Sequence, residues 1–154
     1  MFKLPNGKPI DKDMVEAAME DASLENAYYL NLQTGEVIFF SEWVDESEEQ
    51  QEEIESSEHY VPIERIPSHE AYQWMEHFVA EVVAPKDAQA AEKLSIALMG
   101  KGAFRRFKDV LHFVGEEWVQ AWYHWRDEQL TQAMREWFAS LPVTITETSE
   151  EHPT

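Results

Sequence analysis

The sequence predicts an α+β protein in which a small antiparallel three-stranded sheet is packed with a predominantly helical C-terminal part. Aromatic and β-branched runs separated by turn residues dominate the chain before residue 67. From residue 68 onward apolar side chains recur every three or four residues, as they do in helices. Because 154 residues suffice for one core, we expect a single domain over residues 1–154. It divides into an N-terminal part (1–66), a helical part (67–141) and a tail (142–154).

The first expected elements are an extended leader and a helix. Residues 1–10 contain two prolines and a glycine without a regular apolar period, which is typical of extended chain. The helix is expected to begin after Asp11 or Asp13 and to end by about Glu25. Its apolar stripe is formed by Met14, Val15, Ala18, Met19 and Ala22.

Three strands are expected between this helix and residue 67. Residues 28–32 and 37–40 are strand-forming runs joined by a turn that contains Gly35, which predicts a β-hairpin. Residues 59–66 alternate well enough for a third strand. Pro62 cannot donate to a ladder, so this strand belongs at a sheet edge.

Four helices are predicted in the helical part. The first begins with Ser68 as N-cap and stops at Pro85, and the second covers residues 88–99. Gly102 opens a short third helix, and the fourth covers about 116–141. In the tail, apolar residues alternate with threonines and could add a short strand.

The charge balance limits the classes of partner. The chain has 31 acidic and 12 basic residues and a formal charge of -19, and residues 13–64 hold sixteen acids without a Lys or Arg. Such a chain repels nucleic acid and anionic membranes at long range and favours cationic partners. The lack of cysteine excludes disulfides, thiolate metal sites and cysteine nucleophiles. No secretory h-region and no apolar run of roughly 18 residues occurs, so we expect a cytoplasmic protein.

An acidic segment over residues 42–58 carries the leading functional hypothesis. It holds nine acids and no basic residue, which indicates a solvated loop or a frayed helix. We expect a small binding or regulatory protein without catalytic activity, whose acidic segment engages a basic protein surface. The residues assigned to this contact are Glu46, Glu48, Glu49, Glu52 and Glu53.

A basic stretch over residues 100–109 carries the alternative hypothesis, nucleotide or nucleic-acid phosphate binding. Four of the twelve basic residues lie here, at the start of the third predicted helix. Main-chain N–H groups at a helix start and nearby cations form an anion-binding corner. The residues assigned to it are Lys101, Gly102, Arg105, Arg106 and Lys108. The spacing excludes a P-loop, because Ser95 stands where that motif needs glycine and Ala103 where it needs Ser or Thr.

The same stretch has a structural interpretation. Gly102 starts a helix whose Phe104, Phe107 and Leu111 share one apolar face. Its basic side chains would then pair with carboxylates of the acidic half of the chain. Arg105 and Asp109 stand at i and i+4, a spacing that favours an ion pair.

Arg126 lies within the apolar stripe of the last predicted helix, so it either extends to the surface or is held by a carboxylate, and we expect a structural ion pair. The functional alternative is a cleft where Arg126 grips a ligand carboxylate. An enzyme is the third hypothesis, and it would need a pocket where Arg126, His112 or carboxylates converge. Neither His-Glu-x-x-His nor paired Glu-x-x-His motifs occur, so we predict no metal and no cofactor.

Several strings of the sequence resemble a known family. Residues 71–78 (AYQWMEHF), residues 100–109 (GKGAFRRFKD) and the pairs Trp122-Tyr123 and Glu136-Trp137 are similar to a bacterial family of the UPF series, catalogued as uncharacterised. The resemblance covers about residues 60–141, and it includes the hairpin weakly. It implies a cytoplasmic bacterial protein and transfers no catalytic residue.

Overall fold

The computed structural model describes residues 1–23, 25–41 and 47–148 and confirms the α+β class. The chain separates into two compact units. Unit 1 comprises Met1–Arg65 and Gln132–Thr154, and unit 2 comprises Ile66–Thr131. A single domain over the whole chain stays a prediction.

Unit 1 contains the strands. In chain order its elements are β1 (Phe2–Lys3), α1 (Lys12–Glu20), β2 (Asn26–Asn31), β3 (Val37–Ser41), α2 (Ser47–Glu55), β4 (Tyr60–Pro62) and β5 (Thr146–Glu147). Strand β2 lies between β3 and β4 and is antiparallel to both, which confirms the hairpin and the edge strand. Strand β1 pairs antiparallel with β5, so the leader and the tail form a second, two-stranded sheet.

The hairpin turn is packed against the leader at Gly35. This residue has a φ of +80°, a left-handed conformation that favours glycine. Its carbonyl accepts a hydrogen bond of 2.9 Å from the Asp11 N–H. A β-carbon built at this position would lie 2.1 Å from the carbonyl oxygen of Pro9. Close contact between the two backbones therefore requires glycine here.

Asp21 connects the end of α1 to β2. Its carboxylate accepts hydrogen bonds from the Tyr28 hydroxyl at 2.6 Å, the Asn26 side-chain amide at 2.9 Å and the Ser23 N–H at 2.8 Å. These bonds, that of Tyr28 first, hold the pKa of Asp21 at about 2, below its ordinary 3.8. Burial and the bond to Asp21 raise the pKa of Tyr28 to about 12.

Unit 2 is helical. Its elements are α3 (Ser68–Phe78), a π-helical turn (Val79–Val83), α4 (Ala88–Ala97), α5 (Ala103–Val114) and the first part of α6 (Glu116–Ala139), which continues into unit 1. Phe78, Phe107 and Trp122 meet edge to face in its core, with the Trp122 ring 5.3 Å from Phe78 and 5.0 Å from Phe107. The four predicted helices are therefore confirmed, with the π-helical turn as an unpredicted continuation of α3.

Two predicted details are wrong. The N-cap of α3 is Pro67 and not Ser68, and no side chain caps this end. The Pro67 carbonyl accepts the N–H groups of Glu70 and Ala71 instead. Phe104 is 45% exposed although Phe107 and Leu111 are buried, because it lies in the first turn of α5, at the end of the buried stripe.

We expect Gly35→Ala to lower the free energy of unfolding by about 3 kcal/mol, through backbone strain and the clash with Pro9. Gly7→Ala is the matched control, since Gly7 has a φ of +86° and a β-carbon there meets nothing within 4 Å. It should cost only the backbone component, about 1 kcal/mol. Urea unfolding followed by circular dichroism measures both. If both variants lose the same free energy of unfolding, the contact with Pro9 does not exclude a β-carbon at position 35.

A second prediction concerns how the stability of the fold depends on pH. The pKa of Asp21 is depressed in the folded state, so its stabilisation is present above about pH 4 and is lost as the pH falls towards 2. Asp21→Asn should therefore be less stable than the wild type by about 1 kcal/mol at pH 6. This difference in the free energy of unfolding should disappear between pH 4 and pH 2. Urea unfolding at a series of pH values measures it. Tyr28→Phe, which keeps the carboxylate and removes its first donor, should weaken this pH dependence. A gap that stays constant down to pH 2 would contradict the assignment.

Candidate functional site

The basic stretch lies at the junction of α4 and α5. Gly100 and Gly102 have φ values of +74° and +77°, and Gly102 is the N-cap of α5. Left-handed residues at both positions let the chain reverse direction within a few residues. The prediction that Gly102 opens the third helix is confirmed. The preceding helix ends at Ala97, two residues earlier than predicted.

Arg106 binds main-chain carbonyls at this junction. Its Nε donates to the Ala97 carbonyl at 3.2 Å, and its two terminal nitrogens donate to the carbonyls of Met99 and Lys101. The last carbonyls of a helix have no partner within the helix, so the guanidinium satisfies groups that would otherwise need water. Arg106 thus caps the C-terminal end of α4 and fixes the turn that follows. A ligand contact by Arg106 stays a prediction.

The other three cations of the stretch are exposed. Within unit 2, Lys101, Arg105 and Lys108 make no ion pair with a described residue, and the Arg105–Asp109 pair does not form. The interpretation that these side chains pair with carboxylates of the acidic half, which belongs to unit 1, stays a prediction. Solvation of long cationic side chains outweighs the small gain from exposed pairs.

Two of the predicted site residues, Lys108 and Arg126, line one cleft between α5 and α6. The cleft has a volume of about 110 Å³ and is lined by Lys108, Leu111 and His112 of α5 and by Val119, Trp122, Tyr123 and Arg126 of α6. On each helix these residues are three or four positions apart, so they share a face. Lys101, Gly102, Arg105 and Arg106 are not among the lining residues.

Arg126 is partly exposed in this cleft, with 32% of its side chain accessible. One terminal nitrogen lies 4.0 Å from an Asp127 carboxylate oxygen. The guanidinium carbon lies 5.8 Å from the centre of the Tyr123 ring, within the range of a cation–π interaction. Arg126 therefore has both a carboxylate and an aromatic ring as neighbours while it faces a cleft.

The acidic segment forms helix α2 over Ser47–Glu55. Glu49, Glu52 and Glu53 are exposed on it. Ile54 is half-buried, and the Tyr29 hydroxyl donates to Glu55 Oε1 at 2.8 Å, so the helix is attached to the sheet. Glu46 and the side chain of Glu48, which were assigned to the same contact, lie outside the described residues.

No group of three His, Asp or Glu side chains that could hold a metal ion occurs within residues 1–23, 25–41 and 47–148. His124 Nε2 and Glu128 Oε1 are 2.7 Å apart, but both side chains are largely exposed. In the same ranges, no helix is long and apolar enough to cross a membrane.

Sequence comparison assigns the chain to a family. The family model that matches it is described as "Uncharacterised protein family (UPF0158)" and covers residues 9–150. The chain belongs to UPF0158. This confirms the resemblance to a UPF-series family, and the UPF0158 match includes α2, the junction of α4 and α5, and the cleft. No curated protein and no solved structure matches the chain.

The capping role of Arg106 gives a stability prediction. Arg106→Lys keeps the charge, but one ammonium group cannot bind three carbonyls in the geometry of a guanidinium, so we expect a loss of about 2 kcal/mol. The control is Arg105→Lys at the exposed neighbouring position, which should cost less than about 0.5 kcal/mol. Urea unfolding followed by tryptophan fluorescence compares the two. The capping role is refuted if both variants unfold at the same denaturant concentration.

Proposed function

We propose that this protein binds a basic protein surface through the carboxylates of α2, and that it acts by binding rather than by catalysis. We further infer that it does so in the bacterial cytoplasm. The family resemblance and the cysteine-free sequence, which suits a reducing compartment, support this location.

The observation that carries the proposal is the arrangement of Glu49, Glu52 and Glu53. They stand at i, i+3 and i+4, so their side chains lie on one face of α2, and all three are exposed. They form no ion pair with any described residue of unit 1. This face, which we call the acidic face, is therefore available to a cation from another molecule.

The attachment of α2 to the sheet supports the same function. Ile54 is half-buried on another side of the helix, and the Tyr29 hydroxyl donates to Glu55, so both residues hold α2 in place. A helix fixed in this way presents its carboxylates without an ordering cost at the moment of binding. A disordered acidic segment would have to become ordered first.

Long-range electrostatics favours a basic partner. The sixteen acids of residues 13–64 are unopposed by any Lys or Arg in that range. Such a field speeds encounter with a positive surface and weakens as salt is added. The contact should therefore be fast to form and sensitive to ionic strength.

Phosphate binding at residues 100–109 remains the alternative. The exposed side chains of Lys101, Arg105 and Lys108 favour it. It has less support than the acidic face because the guanidinium of Arg106 is bound to main-chain carbonyls. Retention on heparin at low salt tests this alternative, and a lack of retention would count against it.

The acidic face is tested by the triple variant Glu49→Gln, Glu52→Gln and Glu53→Gln. We expect it to bind short poly-lysine and poly-arginine peptides about tenfold more weakly than the wild type at low salt, since three exposed charge pairs contribute about 0.5 kcal/mol each. Isothermal titration calorimetry at two salt concentrations measures the dissociation constants. Added salt should weaken wild-type binding and narrow the difference.

The control is a second triple variant with the same change in net charge, Glu76→Gln, Glu81→Gln and Glu92→Gln, at exposed positions of unit 2. It should change the dissociation constants by less than about twofold. If both triple variants weaken binding equally, only the net charge matters and the acidic face is not a site. The proposal also fails if the wild type binds neither peptide at low salt.

A further inference from the structure

The cleft between α5 and α6 differs in character from the rest of the protein. Of its lining residues, Lys108, His112 and Arg126 are basic, Tyr123 is a phenol, and the other three are apolar. No carboxylate is among the described lining residues, although acids outnumber bases 31 to 12 in the chain. Three basic side chains therefore surround one concavity in a chain in which acidic residues predominate.

The cleft has an apolar floor and a polar rim. Leu111, Val119 and Trp122 are buried, and they form the floor. The side chains of Lys108, His112 and Tyr123 are exposed, and that of Arg126 is partly exposed. A ligand with a negative group at one end and an apolar stem at the other would match this division, because the charge stays at the rim while the stem leaves water.

The volume limits the size of that ligand. Pockets for drug-sized ligands or cofactors measure about 300–1,000 Å³, whereas this cleft holds about 110 Å³. A carboxylate or phosphate group with a short stem fits, and a nucleotide does not. We propose that the cleft between α5 and α6 binds the oxyanion of a small organic carboxylate or phosphate, with Arg126 and Lys108 on the anion and Trp122 beneath the stem.

The environment of Arg126 is compatible with this role. One of its terminal nitrogens lies 4.0 Å from a carboxylate oxygen of Asp127, whose side chain is 69% exposed, so a ligand oxyanion would share the guanidinium with this carboxylate. The Tyr123 ring supports the guanidinium from one side. A planar guanidinium can hold a carboxylate or phosphate by two parallel hydrogen bonds, and Lys108 adds a point charge. His112 contributes a further donor at the rim.

The test is a titration of the full chain with benzoate, phenyl phosphate, inorganic phosphate and benzyl alcohol, followed by two-dimensional ¹H–¹⁵N NMR at low salt. We expect benzoate, phenyl phosphate or both to shift the amide signals of α5 and α6 around the cleft and the Trp122 indole signal. The dissociation constant should be about 1 mM, as expected for a ligand of this size. Whichever of the two binds more tightly identifies the preferred oxyanion.

The other two probes separate charge from burial. Inorganic phosphate has the charge without the stem, and it should bind at least threefold more weakly than phenyl phosphate. Benzyl alcohol has the stem without the charge, and it should leave the cleft signals unchanged. If benzyl alcohol produces the same shifts as benzoate, the cleft is only an apolar crevice. If neither organic anion shifts these signals, or if inorganic phosphate binds as tightly as phenyl phosphate, the proposal is overturned.

Variants assign the binding to the named side chains. Arg126→Lys keeps a cation and removes the planar fork, so we expect at least fivefold weaker binding. Lys108→Gln changes an exposed side chain and should weaken binding about threefold without affecting the fold. Lys86→Gln removes an exposed cation that lies outside both the cleft and residues 100–109, and it is the matched control, with an expected change below about 1.5-fold. Equal effects of Lys108→Gln and Lys86→Gln would exclude a specific role for the cleft, even if Arg126→Lys proved unstable.

Discussion

The guanidinium of Arg106 fixes the junction on which the helical unit depends. It binds carbonyls at the end of α4 and in the following turn, and it is itself carried by the second turn of α5. The direction in which α5 leaves the turn is thereby set by hydrogen bonds within unit 2. That direction decides which side chains of α5 face α6. In the most basic stretch of the chain, Arg106 therefore stabilises the fold, while the side chains of the other three basic residues are exposed to solvent.

The aromatic core of unit 2 and the cleft beside it share one side chain. Trp122 packs edge to face against Phe78 and Phe107, and it also forms part of the cleft floor. Because aromatic rings packed in this way have little freedom, the floor is rigid. The polar rim is built from longer side chains that can adjust. A rigid apolar floor beneath adaptable cations is a common arrangement for recognising a small charged molecule.

The parts of the fold predicted from the sequence are those with a local signal. Gly35 indicated the turn of the hairpin, and Pro62 indicated a strand at the sheet edge. The spacing of apolar residues predicted the helices. The pairing of β1 with β5 could not be predicted in the same way, because two-residue strands have no periodicity and their partner is remote. The acceptors of Arg106 and the meeting of His112 with Arg126 also depend on tertiary geometry. The apolar faces of α5 and α6 were visible in the sequence, but the cleft that the two helices form together was not.

The pairing of β1 with β5 has a consequence for the order of folding. The N-terminal amino group donates to the Thr148 carbonyl, a contact between residues 147 positions apart in the chain. Residues 66–131 form a unit that is continuous in sequence, so its contacts can develop as soon as that stretch has been synthesised. Unit 1 instead joins both ends of the chain, and the entropy of closing so long a loop delays its completion. The first strand can bridge Pro9 early, but it cannot pair with β5 until residues 146–147, which follow the last helix, have left the ribosome.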